Sequence, residues 1–358
     1  MTVVGPFGLS VRDQALETDV QAGLAAVEAG LLEATKSEVP FITEAAQHLV
    51  RAGGKRFRPL LVMLASRFGD PYAPGIVPSA VVVELTHLAT LYHDDVMDEA
   101  DVRRGVASAN ARWGNSVAVL TGDFLFARAS HILADLGPEA VRIQAEAFER
   151  LVTGQILETA GPRDGRDPVE HYLDVIAGKT GSLIAVSGRF GALMSGADES
   201  VVDILTQYGE RLGTAFQLAD DVLDIASDSH ESGKTPGTDL REGIPTLPVL
   251  RLRETAARDG NPDDLELVRL LDGDLTDDAV LADVLARLRV HPALEQARRD
   301  TIRYAQDARA TLAPLPECFA KSALEELCDA VVHRAGLGRP RGAAQRRQQG
   351  PGPGIPYG

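Results

Sequence analysis

Two acidic clusters carry the residues best suited to chemistry. Leu91–Gly105, LYHDDVMDEADVRRG, places Asp94, Asp95, Asp98, Glu99 and Asp101 close together and follows them with Arg103, Arg104 and Gly105. The cluster ends an apolar helical pattern that runs from Val81 to Leu91. Residues four apart on a helix share a face, so Asp94 and Asp98 lie on one line. Asp95 falls beside Asp94, and Asp101 one turn beyond Asp98. Like charges stacked this way repel by roughly 0.2–0.5 kcal/mol per pair. A hard divalent cation gives a reason for them: Mg²⁺ takes one or two carboxylates and shares the rest of its shell with water and phosphate oxygens. An isolated acidic run is usually a solvated helix face. Here Phe216–Asp228, FQLADDVLDIASD, repeats the pattern with Asp220, Asp221 and Asp224, again ending an apolar periodic stretch.

Basic groups stand opposite these acids. Gly54-Lys55-Arg56-Phe57-Arg58 is a dense basic turn, and Arg103-Arg104 follows the first cluster directly. Lys179-Thr180 and Lys234 each lie beside glycine, between helical segments. Carboxylates, divalent metal and several Arg and Lys groups together describe a polyphosphate site. Two basic groupings suggest two anionic substrates. His87 lies seven residues before Asp94, two turns along the same face of an otherwise apolar helix. Gly233-Lys234-Thr235 fails the full P-loop spacing, and Asp94–Gly105 is no EF-hand, because Val96 and Glu99 occupy its third and sixth positions.

Helices must position these groups. Apolar periodicity and breaker residues predict helices over 11–35, from Pro40 to Val50, from about Pro59 to Phe68, and from near Pro78 into the first acidic cluster. Further helices are predicted over 115–135, 138–160 and 198–226. Residues 169–195 are rich in small side chains, which suggests tight helix packing or a break near Gly178–Gly181. Ser229–Pro248 reads as a loop, and 262–335 as helices broken near Gly273, His291–Pro292 and Pro314–Pro316. No period-two strand appears, so the class is all-α. Residues 1–335 are expected as one helical domain and 336–358, rich in Gly, Pro, Arg and Gln, as a disordered tail.

The chain has 358 residues, 44% of them hydrophobic, enough for a sizeable core. A net charge of −16 argues against nucleic-acid binding. The two cysteines, Cys318 and Cys328, form no CxxC and imply reduced thiols in a cytoplasmic protein. No signal peptide is read at the N-terminus, and no apolar run is expected to span a bilayer.

The sequence resembles the trans-isoprenyl (polyprenyl) diphosphate synthases. The matching stretches are GGKRFRP (53–59), HDDVMDEADVRRG (93–105), GDFLFARA (122–129), GKTGSL (178–183), FQLADDVLD (216–224) and GKTPGTDLREGIPTLP (233–248). The resemblance implies an orthogonal all-helical bundle around a deep central cavity, a homodimer, and three Mg²⁺ ions once allylic diphosphate is bound. By position, Asp94, Asp95, Asp98, Asp220, Asp221 and Asp224 would hold metal. Arg103, Lys179 and Lys234 would contact the allylic diphosphate, such as farnesyl or geranylgeranyl diphosphate. Lys55, Arg58, His87 and Arg104 would hold isopentenyl diphosphate, and Thr180 and Gln217 would line the reacting carbons. The implied reaction is ionisation, condensation and elimination, and its apolar product implies peripheral membrane contact for release. One departure is visible: the family often has Lys where this chain has Ile244, and Arg241 is the nearest candidate to replace it. Ala89 and Thr90, five and four residues before Asp94, are small where a bulky aromatic would close the cavity floor. That implies a product beyond C15. A class I terpene cyclase, an HD-type phosphohydrolase and a non-catalytic partner subunit each leave part of this combination unexplained.

Overall fold

The computed structural model describes residues 13–227 and 236–334. Lys234 and the expected tail, 336–358, lie outside the described residues. Proline and glycine punctuation sets most helix boundaries. Proline is the first residue of α2 (Pro40–Arg51), α7 (Pro138–Ala160), α8 (Pro168–Ile176), α13 (Pro262–Leu271) and α15 (Pro292–Thr311). That position needs no N–H, and its fixed φ suits a helix. Asp167 accepts from Val169 N and Glu170 N ahead of α8, and Asn261 and Asp277 cap α13 and α14 (Asp278–Val290) in the same way.

The remaining elements are α1 (Gln14–Ala34), α3 (Phe57–Ala65), α4 (Ile76–Met97), α5 (Ala109–Trp113), α6 (Asn115–Leu136), α9 (Ser182–Met194), α10 (Glu199–Ala226), α11 (Thr238–Arg241), α12 (Leu247–Asp259) and α16 (Phe319–Arg334). One apolar core runs from Leu16 in α1 to Val331 in α16. Its axis is α4, whose residues from Ser79 to Thr86 are all buried. It packs along α6 and against α1, α3, α5 and α9. A helix buried on every side shows little amphipathic periodicity, which is why apolar continuity alone marks α4 in the sequence. The hydroxyls of Ser79 and Thr86 donate to Ile76 O and Val82 O, so burying them leaves no unpaired donor.

Four details differ from the sequence reading. Helix α4 ends at Met97, so Asp101 lies beyond it and does not extend the stacked carboxylates. A two-stranded antiparallel hairpin, β1 (Val102–Arg103) and β2 (Val106–Ala107), follows it. Two-residue strands are too short to show alternation. The unassigned stretch after Pro248 is part of α12, whose outer face carries Arg253, Glu254 and Arg258 and hides its pattern. Finally, α6 is long and apolar enough by composition to cross a membrane, with 33% of its apolar window buried.

Glycines set the closest approaches. A Cβ on Gly191 would stand 2.4 Å from Val62 O and 2.7 Å from Ala65 Cβ, so α9 meets α3 backbone to backbone. Gly209 of α10 touches α9 similarly, 2.6 Å from Ala185 Cα. Gly191→Ala is expected to destabilise the protein by about 1–3 kcal/mol through overpacking. Thermal unfolding checks this, and an unchanged midpoint would contradict the contact.

Candidate active site

The first acidic cluster forms because α4 stops inside it. Asp94 and Asp95 occupy its last turn, and Asp98 caps it, donating its N–H to Asp94 O. The two adjacent carboxylates then point apart. Asp95 is completely buried and accepts from Arg103 Nε at 2.5 Å. Asp94 is half-buried and Asp98 exposed. Burial pushes the Asp94 carboxyl up to about 6, opposed by Lys179 and Arg103 and reinforced by Asp98 and Glu158.

The second cluster repeats this division. Asp221 is buried and accepts from the Tyr172 hydroxyl and, at 2.9 Å, from Gln217 Nε2. Gln217 Oε1 in turn accepts from the Thr180 hydroxyl at 3.0 Å. One hydrogen-bonded chain therefore links Tyr172, Asp221, Gln217 and Thr180. Asp220 and Asp224 are half-buried on the same helix end, with Asp224 accepting from the N–H groups of Thr238 and Asp239 at the start of α11. Burial raises the Glu242 carboxyl, and both Asp98 and Asp224 add to the rise. Glu242 thus feels negative charge from the acidic ends of both α4 and α10.

A π turn, Ala177–Gly181, delivers Lys179 and Thr180. It is the break expected near Gly178–Gly181, and it is also a tight contact. A Cβ on Gly178 would stand 2.8 Å from Arg150 O, and one on Gly154 would stand 2.7 Å from Lys179 N. With the turn pressed against α7, Lys179 Nζ reaches Glu158 at 2.6 Å. Its charge also acts on Asp94 and Asp98. Among the described residues, no three His, Cys, Asp or Glu side chains converge tightly enough to hold a metal ion unaided.

The basic side gathers around α4 one to three turns earlier. Arg104 occupies the hairpin tip with φ +54°, followed by Gly105 at φ +77°. Two successive left-handed residues make the tight turn that suits a two-residue hairpin loop. The turn sends Arg103 towards Asp95 and Arg104 the other way, to Leu49 O and Gly53 O. Arg58 and His87 are half-buried beside Arg104. Burial, with Arg104 adding to it, pushes the Arg58 guanidinium down to about 10, and burial with Arg58, Arg104 and Arg103 holds His87 well below its usual value. Arg58 Nε has no partner among the described residues. Lys55 is exposed at the rim. Phe57 stacks on Phe216 at 5.4 Å, tying this turn to α10 next to Gln217.

A cavity of about 380 Å³ opens between α4, α6 and α7, lined by Thr86 and His93, Phe126 and Leu133, and Gln144 and Phe148. Thr86, Ala89, Thr90 and His93 share one broad face of α4. Arg241 is paired with Asp278 of α14 at the surface. Ile244 is half-buried and lines a small surface pocket with Leu240, Val249 and Leu271. The sequence reading also missed Tyr172, Glu158 and Glu84. Tyr172 and Glu158 lie on α8 and α7, and only tertiary packing brings them to the site. Glu84 is one acid inside an apolar run.

Comparison with known proteins identifies the family and the fold. Residues 39–286 match the model of the polyprenyl synthetase family. The nonaprenyl diphosphate synthase of Mycobacterium tuberculosis is 47% identical over 330 residues, covering 92% of this chain and 97% of the relative. Among solved structures, the fold superposes on a geranylgeranyl pyrophosphate synthase from Corynebacterium glutamicum, complexed with calcium and isoprenyl diphosphate. Its TM-score is 0.82 at 45% identity, with 92% and 100% of the two chains covered. A decaprenyl diphosphate synthase from Rhodobacter capsulatus gives 0.81 at 36% identity, with 90% and 98% covered. Helical architecture, paired acidic ends and these likenesses lead to one conclusion: the chain belongs to the polyprenyl synthetase family of prenyltransferases.

Proposed function

We propose that this enzyme condenses isopentenyl diphosphate with an allylic diphosphate, such as farnesyl or geranylgeranyl diphosphate, to make a medium- or long-chain all-trans polyprenyl diphosphate. The observation that carries this reading is the segregation of charge along the helices. Carboxylates end α4 and α10, and Arg58, His87 and Arg104 gather at a second position along α4. Such a site suits two diphosphates, one approached through metal and one held directly by cations.

Asp94, Asp98, Asp220 and Asp224 are the carboxylates placed to hold Mg²⁺. Asp95 and Asp221 belong to the same acidic set, but they turn inward and brace it through Arg103 and through Tyr172 and Gln217. Bound Mg²⁺ would neutralise the charge that builds on the departing diphosphate. Arg103 and Lys179 add fixed positive charge on the same side, and Lys234 is assigned with them from the sequence. Lys55, Arg58, His87 and Arg104 hold the second diphosphate. As the allylic C–O bond breaks, pyrophosphate leaves with the electron pair. The double bond of isopentenyl diphosphate attacks the allylic carbon, and loss of a proton restores a double bond. Thr180 and Gln217, locked by their hydrogen bond, line the place where these carbons meet. The cavity lined by Thr86, His93 and Phe126 receives the growing chain.

Leu120 and Ile156, 65% and 61% exposed on α6 and α7, supply an apolar face for a second copy, and we read the enzyme as a homodimer. We place it in the cytoplasm, with peripheral membrane contact releasing its apolar product.

Three outcomes test this reading. Chelation should abolish pyrophosphate release, and Asp94→Ala should lower turnover roughly a hundredfold or more, as expected when a stabiliser of developing charge is lost. Release without isopentenyl diphosphate would point instead to a cyclase. Ala89→Phe should shorten the product made from farnesyl diphosphate and labelled isopentenyl diphosphate. A terminal C15 or C20 product from the parent enzyme would contradict the chain-length assignment. Tyr172→Phe should cost about 1–3 kcal/mol by leaving a buried acceptor short of a donor, read from denaturant unfolding. No loss would mean that Asp221 faces solvent.

A further inference from the structure

Glu84 lies in the middle of α4, ten residues before Asp94, and is 2% exposed. Its Oε1 is 2.9 Å from Arg56 Nη1 and 3.8 Å from Arg104 Nη2. Arg56 is itself 7% exposed. Its guanidinium also reaches Glu28 of α1 through Nε and Nη2 and donates to Val50 O at 3.0 Å. Arg104 ties back to Leu49 O and Gly53 O. The turn between α2 and α3 and the tip of the β1–β2 hairpin are therefore fastened to the same carboxylate. Gly54 lies between them, with room for no more: a Cβ there would stand 2.9 Å from both guanidinium groups.

Two further facts show what this fastening does. Among the described residues, four that are not glycine have positive φ, and Arg56 and Arg104 are two of them. A side chain in that region is strained and persists only where its surroundings over-determine it. Here Arg56 donates to Glu84, and Arg104 stands 3.8 Å from the same oxygen. Second, a buried ion pair is seldom better for stability than apolar side chains of similar volume, so stability does not explain it. Lys55 flanks Arg56 immediately, and Arg58 follows two residues on. Both depend on the backbone that Arg56 holds.

We propose that Glu84 is the positioning residue of the isopentenyl diphosphate pocket: through Arg56 it fixes the turn that presents Lys55 and Arg58, and it sets Arg104 beside them. Its single negative charge also lets three arginines and His87 share one small volume without cancelling their attraction for a diphosphate. This inference rests on the reading of that basic cluster given above.

The test is steady-state kinetics on the full chain with both substrates varied. Glu84→Gln should raise KM for isopentenyl diphosphate roughly ten- to a hundredfold while KM for farnesyl diphosphate stays within about twofold. Arg56→Lys, which keeps the charge but loses the fork that reaches both Glu28 and Glu84, should show the same split and stands in if Glu84→Gln does not fold. Glu84→Asp should recover part of the lost affinity. Unchanged KM values, or equal rises for both substrates, would overturn the positioning role. If the parent enzyme ionised farnesyl diphosphate without needing isopentenyl diphosphate, the underlying reading would fall instead.

Discussion

Holding like charges together out of water is the constraint on which this structure depends. Carboxylates at the ends of α4 and α10 sit where a helix already presents partial negative charge, so the backbone gives them no help. Arg58 and Arg104 crowd a half-buried His87. Neither arrangement is stable by itself, and each is held by something apolar or backbone-locked behind it. For the acids, that support is the fully buried stretch of α4 and the inward-turned Asp95 and Asp221. For the cations it is the turn after α2 and the hairpin tip, both fastened to Glu84. The molecule keeps an imbalance of each sign ready for a partner of the other.

The two halves of the site share one scaffold. Glu84, His87, Asp94 and Asp98 all project from α4, so the spacing between the cation pocket and the carboxylates is fixed by helical rise, at ~1.5 Å per residue. The contacts that complete the site come from elsewhere: the π turn against α7, the hairpin against α2, and Phe57 on Phe216. Rigid spacing along one helix and adjustable contacts across others divide the work between substrate geometry and metal geometry.

Much of this was legible in the sequence because proline, glycine and acidic clusters act locally. Pro40, Pro138 and Pro292 open helices where they were expected to, and the acids do end α4 and α10. What escaped depends on distance in sequence. Which member of each Asp pair turns inward is decided by Arg103 and Tyr172. Arg241 pairs with Asp278, on a helix whose approach no local pattern announces. The hairpin was invisible because its strands are two residues long, and α12 because its exposed charges mask its apolar face. The apolar content of α6 invites a membrane assignment, whereas the fold packs one side of it along α4 and leaves Leu120 outside.

The π turn at Ala177–Gly181 does more than place Lys179 and Thr180. An extra residue in one helical turn rotates everything after it by about 100° relative to an uninterrupted helix. The segment from Pro168 to Met194 therefore behaves as a shaft with a phase shifter in it. Before the turn, the buried stripe of His171, Tyr172 and Val175 is set for α7 and α12; after it, Gly188 and Gly191 are set for α10 and α3. Deleting one residue at the turn would leave every side chain chemically intact and put one half of the shaft out of phase with its neighbours.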